Sequence, residues 1–199
     1  QARETCAKDK MNAIEEIGVC VVGGDQLPQV TIDYVCALES GRRLARDIGG
    51  ADPERMTALK TAETVQAYFK SFDNSVSVQV MQDKVELTKN YPLLMAVARA
   101  SEPVPKHAPC VITLTYQSPN QSLVKEDLYM VGKGVTYDTG GVDVKTNGIM
   151  VGMSRDKCGA AAMAGFMATV AHLKPEHLNV TVKLAMVRNS IGSAGYVPD

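Results

Sequence analysis

VGKGVTYDTGGVDVK, residues 131–145, packs four glycines, two aspartates and two lysines into fifteen positions. Glycines set between charges suggest a backbone shaped around something small and charged, because a residue without Cβ turns freely and approaches a ligand closely. The run that leads into it, LYMVG at 128–132, is apolar and reads as a strand. The run that follows, GAAAMAGFMATVAHL at 159–173, is apolar on most faces and reads as a buried helix. Ligand sites in α/β sheets gather just beyond the end of a strand, where this segment lies.

Working outward, VSVQVM (76–81), VITLTY (111–116) and NVTVKLAMV (179–187) read as further strands. IGVCVV (17–22) reads as a buried strand ending in a Gly23-Gly24 turn. Helices are expected over 31–50, 59–72 and 92–101; in the first, Tyr34, Ala37, Leu38, Gly41, Leu44, Ala45 and Ile48 recur at helical spacing. Three prolines in SEPVPKHAP (101–109) enforce extended backbone. Strands alternating with helices indicate an α/β fold, with a central mainly parallel (mixed) sheet flanked by helices. A boundary is expected where GGDQLPQ loosens the chain, which makes residues 1–29 the tail of a preceding domain with its linker and 30–199 the main domain.

Bulk properties exclude several classes. The 199 residues are 45% hydrophobic and 22% charged, as in globular proteins. A net charge of -1 and the lack of any basic run argue against nucleic acid or an anionic membrane as partner. No apolar run approaches the roughly 20 residues of a membrane helix. The first ten residues are charged and lack the apolar core of a signal peptide. Five widely spaced cysteines without a CxxC read as reduced thiols, which points to a cytoplasmic protein.

Familiar motifs fail on spacing. HLKPEH (172–177) sets its histidines five apart and breaks the helix with Pro175, whereas a zinc helix needs them one turn apart. Gly132-Lys133-Gly134 lacks the upstream glycine and the following Ser/Thr of a P-loop. A GxSxG nucleophile elbow is absent. Lys133, Asp138, Lys145 and Asp156 remain, and taken alone they fit a solvated loop with scattered charges as well as a site.

In its longer context, VGKGVTYDTGG followed by Lys145 and by MSRD (153–156) ahead of CGAAAM, the segment closely resembles the signature region of the leucyl aminopeptidase family, the two-metal cytosolic aminopeptidases. LESGRRLARDIGGADPERMT, NYPLLMAVARASE and MVRNSIGSAGYVPD resemble the family's sequence on either side, so that the likeness runs from about residue 30 to the end. The resemblance implies that 30–199 is the N-terminal part of a metallo-aminopeptidase catalytic domain. It implies metal ligands at Lys133, Asp138 and Asp156, with Asp138 bridging two divalent ions (Zn2+, Mn2+ or Mg2+). It implies that Lys145 is the catalytic lysine, charged and stabilising the oxyanion, and that Met153 lines the pocket for the substrate's first side chain, with Lys133 and Lys145 also at the substrate. Lys133 would have to lose its proton to serve as a ligand.

The expected activity is release of N-terminal, leucine-like residues from peptides by a cytoplasmic homo-hexamer. The family's other ligands lie in a later Asn-Thr-Asp-Ala-Glu-Gly-Arg segment, whose Arg holds a bicarbonate base. This sequence lacks that segment, so the expectation is a fragment, to be completed by the rest of the protein or by a second chain. Half-built charge neutralisation predicts weak metal binding and no peptidase activity for this polypeptide alone. Lys157 and Cys158 replace commoner apolar and glycine positions, as in the divergent animal branch. A non-catalytic aminopeptidase-like structural or assembly component is the alternative.

Overall fold

The computed structural model describes residues 18–19, 22–23, 26–72 and 75–197. Two compact units divide the chain, Gln1–Cys36 and Ala37–Asp199. The described part of the first unit contains the opening of helix α1 (Gln29–Gly49), where Gln29 Nε2 donates to Asp33 Oδ1 at 2.8 Å. Of the strand expected over 17–22, residues 17, 20 and 21 lie outside the described residues, and Gly18, Val19 and Val22 are not in a strand.

The second unit begins within α1 and continues through α2 (Ala58–Lys70), β1 (Val76–Met81), α3 (Lys84–Asn90), α4 (Pro92–Ala98), β2 (Cys110–Tyr116), β3 (Glu126–Asp138), α5 (Cys158–Leu173) and β4 (Leu178–Asn189). Local signals start these helices. Thr57 caps α2, its hydroxyl accepting from Lys60 N at 3.3 Å, and Asp83 caps α3 by accepting from Glu86 N at 2.9 Å. The short α3 was not among the expected elements, whereas β1 begins and ends where its alternation predicts.

The four strands form one mixed sheet in the order β1-β2-β4-β3. β1 with β2 and β2 with β4 pair antiparallel, and β3 with β4 pair parallel. The expected α/β fold with a mixed, helix-flanked sheet is therefore present, but among the described strands it is not mainly parallel: two of the three pairings are antiparallel, and the parallel one joins the two strands linked by α5. Register places Val78, Val80, Ile112, Leu114, Val182 and Leu184 on one face. There they join Val65 and Phe69 of α2 and Ala164, Met167 and Ala168 of α5 in the main core. Burying each large apolar side chain contributes about 1.5–3 kcal/mol. A smaller cluster on the other face joins Ala98 of α4 to Val135 and Val187.

The strand expected to end at Gly132 runs on to Asp138. Its glycines explain the difference. A Cβ at Gly132 would lie 2.5 Å from Ala160 Cα and 2.8 Å from Gly159 O, and one at Gly134 would lie 2.4 Å from Met186 Sδ. These glycines are in the strand to admit the start of α5 and a β4 side chain, not to form a loop. Gly41 and Gly165 allow an equally close crossing of α1 and α5, since a Cβ at Gly41 would lie 2.4 Å from Gly165 O. Gly132→Ala is expected to destabilise the full-length protein by about 1–3 kcal/mol, because the obstructing atoms are backbone. Chemical denaturation would show this as a lower midpoint at unchanged slope.

Candidate functional site

Lys133 and Asp138 both lie on β3, five residues apart, and strict alternation would send them to opposite faces. The ladder corrects this. Val135 pairs with Val187 and Asp138 with Asn189, so β3 spends three residues where β4 spends two. This β-bulge shifts the alternation by one and re-aims Asp138. Lys133 is opposite Ala185 and Asp138 opposite Asn189, and these β4 residues are four apart, on one face.

Asp138 ends the strand in a dense set of contacts. Its Oδ1 accepts from Asn189 Nδ2 at 2.7 Å and from Gly140 N at 3.0 Å. Its Oδ2 faces Lys145 Nζ at 3.0 Å. Burial alone would push the carboxyl up. The bonds from Lys145, Gly140 and Asn189, with the Lys145 charge, outweigh burial and hold it below the ordinary carboxylate value. Gly140 and Gly141, at φ +86° and +74°, turn the chain back so that Lys145 N donates to Thr139 O at 2.9 Å. That turn delivers the Lys145 ammonium to the carboxylate.

The second pair is Lys133 with Asp156, whose Nζ and Oδ2 are 2.6 Å apart. Asp156 follows a 3-10 turn (Met153–Arg155) and stands just before α5. Met153 is half-buried within that turn. Lys157 is fully buried beneath it and ties it down, donating to Ala51 O at 2.7 Å and Ser154 O at 2.5 Å. Asp156 Oδ2 is buried and has no aligned hydrogen bond, so the short contact to Lys133 is an ion pair without hydrogen-bond geometry.

These groups meet part of what a divalent ion requires. Two hard carboxylates and a lysine amine are suitable donors, and the buried Asp156 Oδ2 is an acceptor that lies against the Lys133 charge without an aligned hydrogen bond among the described residues. Among the described residues no group of three or more His, Cys, Asp and Glu could hold a metal. The set therefore fits as one bank of a coordination shell that needs further ligands.

A cavity of about 540 Å3, lined by Gln79, Met81, Glu86, Tyr91, Thr113 and Lys183 among others, contains none of the four charged residues of interest. It lies against β1, where Lys183 Nζ donates to Tyr91 Oη at 2.7 Å.

Sequence reasoning missed two residues at the end of β4. One is Asn189, signalled only as a polar residue closing an apolar run. The other is Arg188, which is 2% exposed. Its guanidinium donates to Glu54 Oε1, Ser190 Oγ and His107 Nε2, each at 2.7 Å, and to Gly195 O. Arginine can only donate, so His107 Nε2 accepts and its ring is neutral. The 3.4 Å approach of that nitrogen to Glu54 is therefore not an ion pair.

Residues 43–199 match the cytosol aminopeptidase family, catalytic domain. The chain belongs to this family. A Caenorhabditis elegans protein named as an aminopeptidase is 37% identical over 197 residues, covering 99% of this chain and 36% of its own length. A Chlamydia caviae protein named as a cytosol aminopeptidase is 34% identical over 156 residues, covering 78% of this chain and 30% of its own. The crystal structure of cytosol aminopeptidase from Coxiella burnetii superposes with a TM-score of 0.71 at 29% identity, over 86% of this chain and 35% of that one. A bottromycin maturation enzyme in complex with Mn gives a TM-score of 0.73 at 26% identity, over 88% and 36%. The chain thus spans about a third of the length of these relatives.

The Arg188 cluster gives this family member a testable acid response. Burial first, then the Arg188 charge, push the His107 pKa below its ordinary value of 6.5 against the opposing pull of Glu54. The unfolded chain then binds more protons than the folded one. The associated stability is present above pH ~6.5 and lost as pH falls from there through the folded value, by at most about 1.4 kcal/mol per pH unit. Unfolding of the full-length protein in chelator across pH 5–8 should show this fall at about that range. His107→Gln, which keeps an acceptor for Arg188, should remove it.

Proposed function

We propose that the protein is a metal-dependent aminopeptidase that releases N-terminal, leucine-like residues from peptides, with this chain contributing one bank of a two-metal site. The observation that carries the reading is the pair of carboxylates, Asp138 and Asp156, each held against a lysine at β3 and the start of α5, in a chain of the cytosol aminopeptidase family. Two divalent ions (Zn2+, Mn2+ or Mg2+) would supply Lewis-acid polarisation of the scissile carbonyl. The Mn complex of the related bottromycin enzyme supports divalent metal as the class.

Each residue has a distinct task in this proposal. Asp138 would help to hold both ions, and Asp156 with Lys133 would hold one of them. The Lys133 ammonium has no lone pair, so only its neutral amine could hold a cation. Lys145 would place the positive charge of its ammonium where the carbonyl oxygen becomes negative. Its flexible stem and compact charge allow it to leave Asp138 for that oxygen. Met153 borders the first side-chain pocket. The remaining acidic ligands, and an arginine holding bicarbonate, come from the rest of the protein; the isolated polypeptide is then inactive and binds metal weakly. We further propose a cytoplasmic homo-hexamer. No helix among the described residues is long and apolar enough to cross a membrane.

The test is leucine release from leucine amide by the full-length protein with added Mn2+. Activity should require metal and disappear with chelator. Lys145→Met should lower kcat about 100- to 1,000-fold, the usual loss for one oxyanion-stabilising group. No release, together with no bound metal by elemental analysis, would defeat the reading and favour a non-catalytic, aminopeptidase-like assembly component.

A further inference from the structure

We infer that Asn189 is a positioning residue that selects which oxygen of Asp138 is presented to a divalent cation, an inference that rests on the metal-dependent reading above. A carboxylate oxygen has about two lone-pair sites. Both sites on Asp138 Oδ1 are occupied by N–H donors, Asn189 Nδ2 at 2.7 Å and Gly140 N at 3.0 Å. Oδ2 has instead the ammonium of Lys145 at 3.0 Å, a point charge on a flexible stem that can be displaced. Oδ1 is committed to the protein, and Oδ2, with about two lone-pair sites of its own, is the oxygen left for divalent cations.

The donor is also of the right kind. A neutral amide orients the carboxylate without adding positive charge beside an incoming dication. Lysine or arginine at 189 would repel the ion, and aspartate would repel Asp138. Asn189 is itself fixed, since its carbonyl accepts from Thr139 N at 3.0 Å and from Thr139 Oγ1 at 2.9 Å. Thr139 O in turn accepts from Lys145 N at 2.9 Å. One β4 residue therefore sets both the carboxylate and the turn that carries Lys145. The side chain acts on Asp138 while the backbone acts on Thr139, so the two roles can be separated by substitution.

The test is Mn2+ binding to the full-length protein, read from the loss of the free aqueous Mn2+ electron paramagnetic resonance signal. Asn189→Leu removes the donor at similar volume and leaves the Thr139 contacts. Its Mn2+ affinity should fall about 10- to 100-fold, as is typical when the partner of a metal ligand is lost, at an unchanged metal-free melting temperature. If the leucine variant does not fold, Asn189→Ala, which only truncates, carries the same expectation. Wild-type affinity in a folded Asn189 variant overturns the inference, as does a loss of affinity that only follows a lowered metal-free melting temperature. Failure of the wild type to bind Mn2+, or binding indifferent to Asp138→Asn, overturns the metal reading itself.

Discussion

Bare backbone at Gly132 and Gly134 lets α5 begin almost in contact with β3. A Cβ at Gly132 would meet the main chain of Gly159 and Ala160, and one at Gly159 would lie 3.0 Å from Lys133 O. Side-chain layers normally hold a helix and a strand well apart, and here that layer is missing at one point. The consequence is positional. Asp156 sits just ahead of α5, so seating the helix on the strand brings that aspartate within 2.6 Å of the Lys133 ammonium. The same helix then crosses to β4, which pairs parallel beside β3 and carries Asn189 to Asp138. Helix seating, strand order and the two Lys–Asp pairs are thus one constraint expressed at successive distances.

The charges divide into two kinds by their surroundings. Lys133 is largely open to water, where an ion pair contributes little stability because solvent screens it. Such a pair is cheap to rearrange. Arg188 is the opposite case. It is buried, and its partners Glu54 and His107 come from segments far from it in sequence, while Ser190 and Gly195 follow it closely. Removing one partner from such a cluster leaves a buried charge uncompensated, a large penalty. Rearrangement is therefore costly there. Arg188 lies on β4 and Lys133 on its neighbour β3, so the open charge is mounted beside a rigid cluster.

Much of this frame was legible in the sequence. Alternation placed β1 at its observed limits, and helical spacing found α1, α2, α4 and α5. The extent of β3 was not legible, because Gly132-Lys133-Gly134 has the composition of a loop; only the tertiary contact with Ala160 shows why glycine is tolerated in a strand there. Strand order was not legible either, since a parallel crossover and an antiparallel return leave similar apolar runs. Lys133, Asp138, Lys145 and Asp156 stood out as charges among glycines and, through family resemblance, as a group. Their pairing did not, nor did the burial of Lys157 and Arg188. Hydropathy assigns such residues to the surface, and only a full set of carbonyl or carboxylate partners reverses that assignment.

The bulge between Val135 and Asp138 shows why the spacing within the motif is fixed rather than decorative. Bulges are rare in parallel pairs, yet this one lies between the two β3 residues that must share a face. A ladder without it would set Asp138 on the opposite side from Lys133 and away from Asn189. The extra residue leaves a ladder position without a regular partner, and hydrogen bonds just beyond compensate, with Thr139 N and Thr139 Oγ1 both donating to Asn189 O. Thr139 thus closes the distortion that Asp138 requires. The segment Val135 to Gly141 is then a single device: an extra residue turns the carboxylate, a threonine locks the turn to β4, and two glycines at positive φ return the chain with Lys145. Each part is needed because the preceding part displaced the backbone from a regular strand.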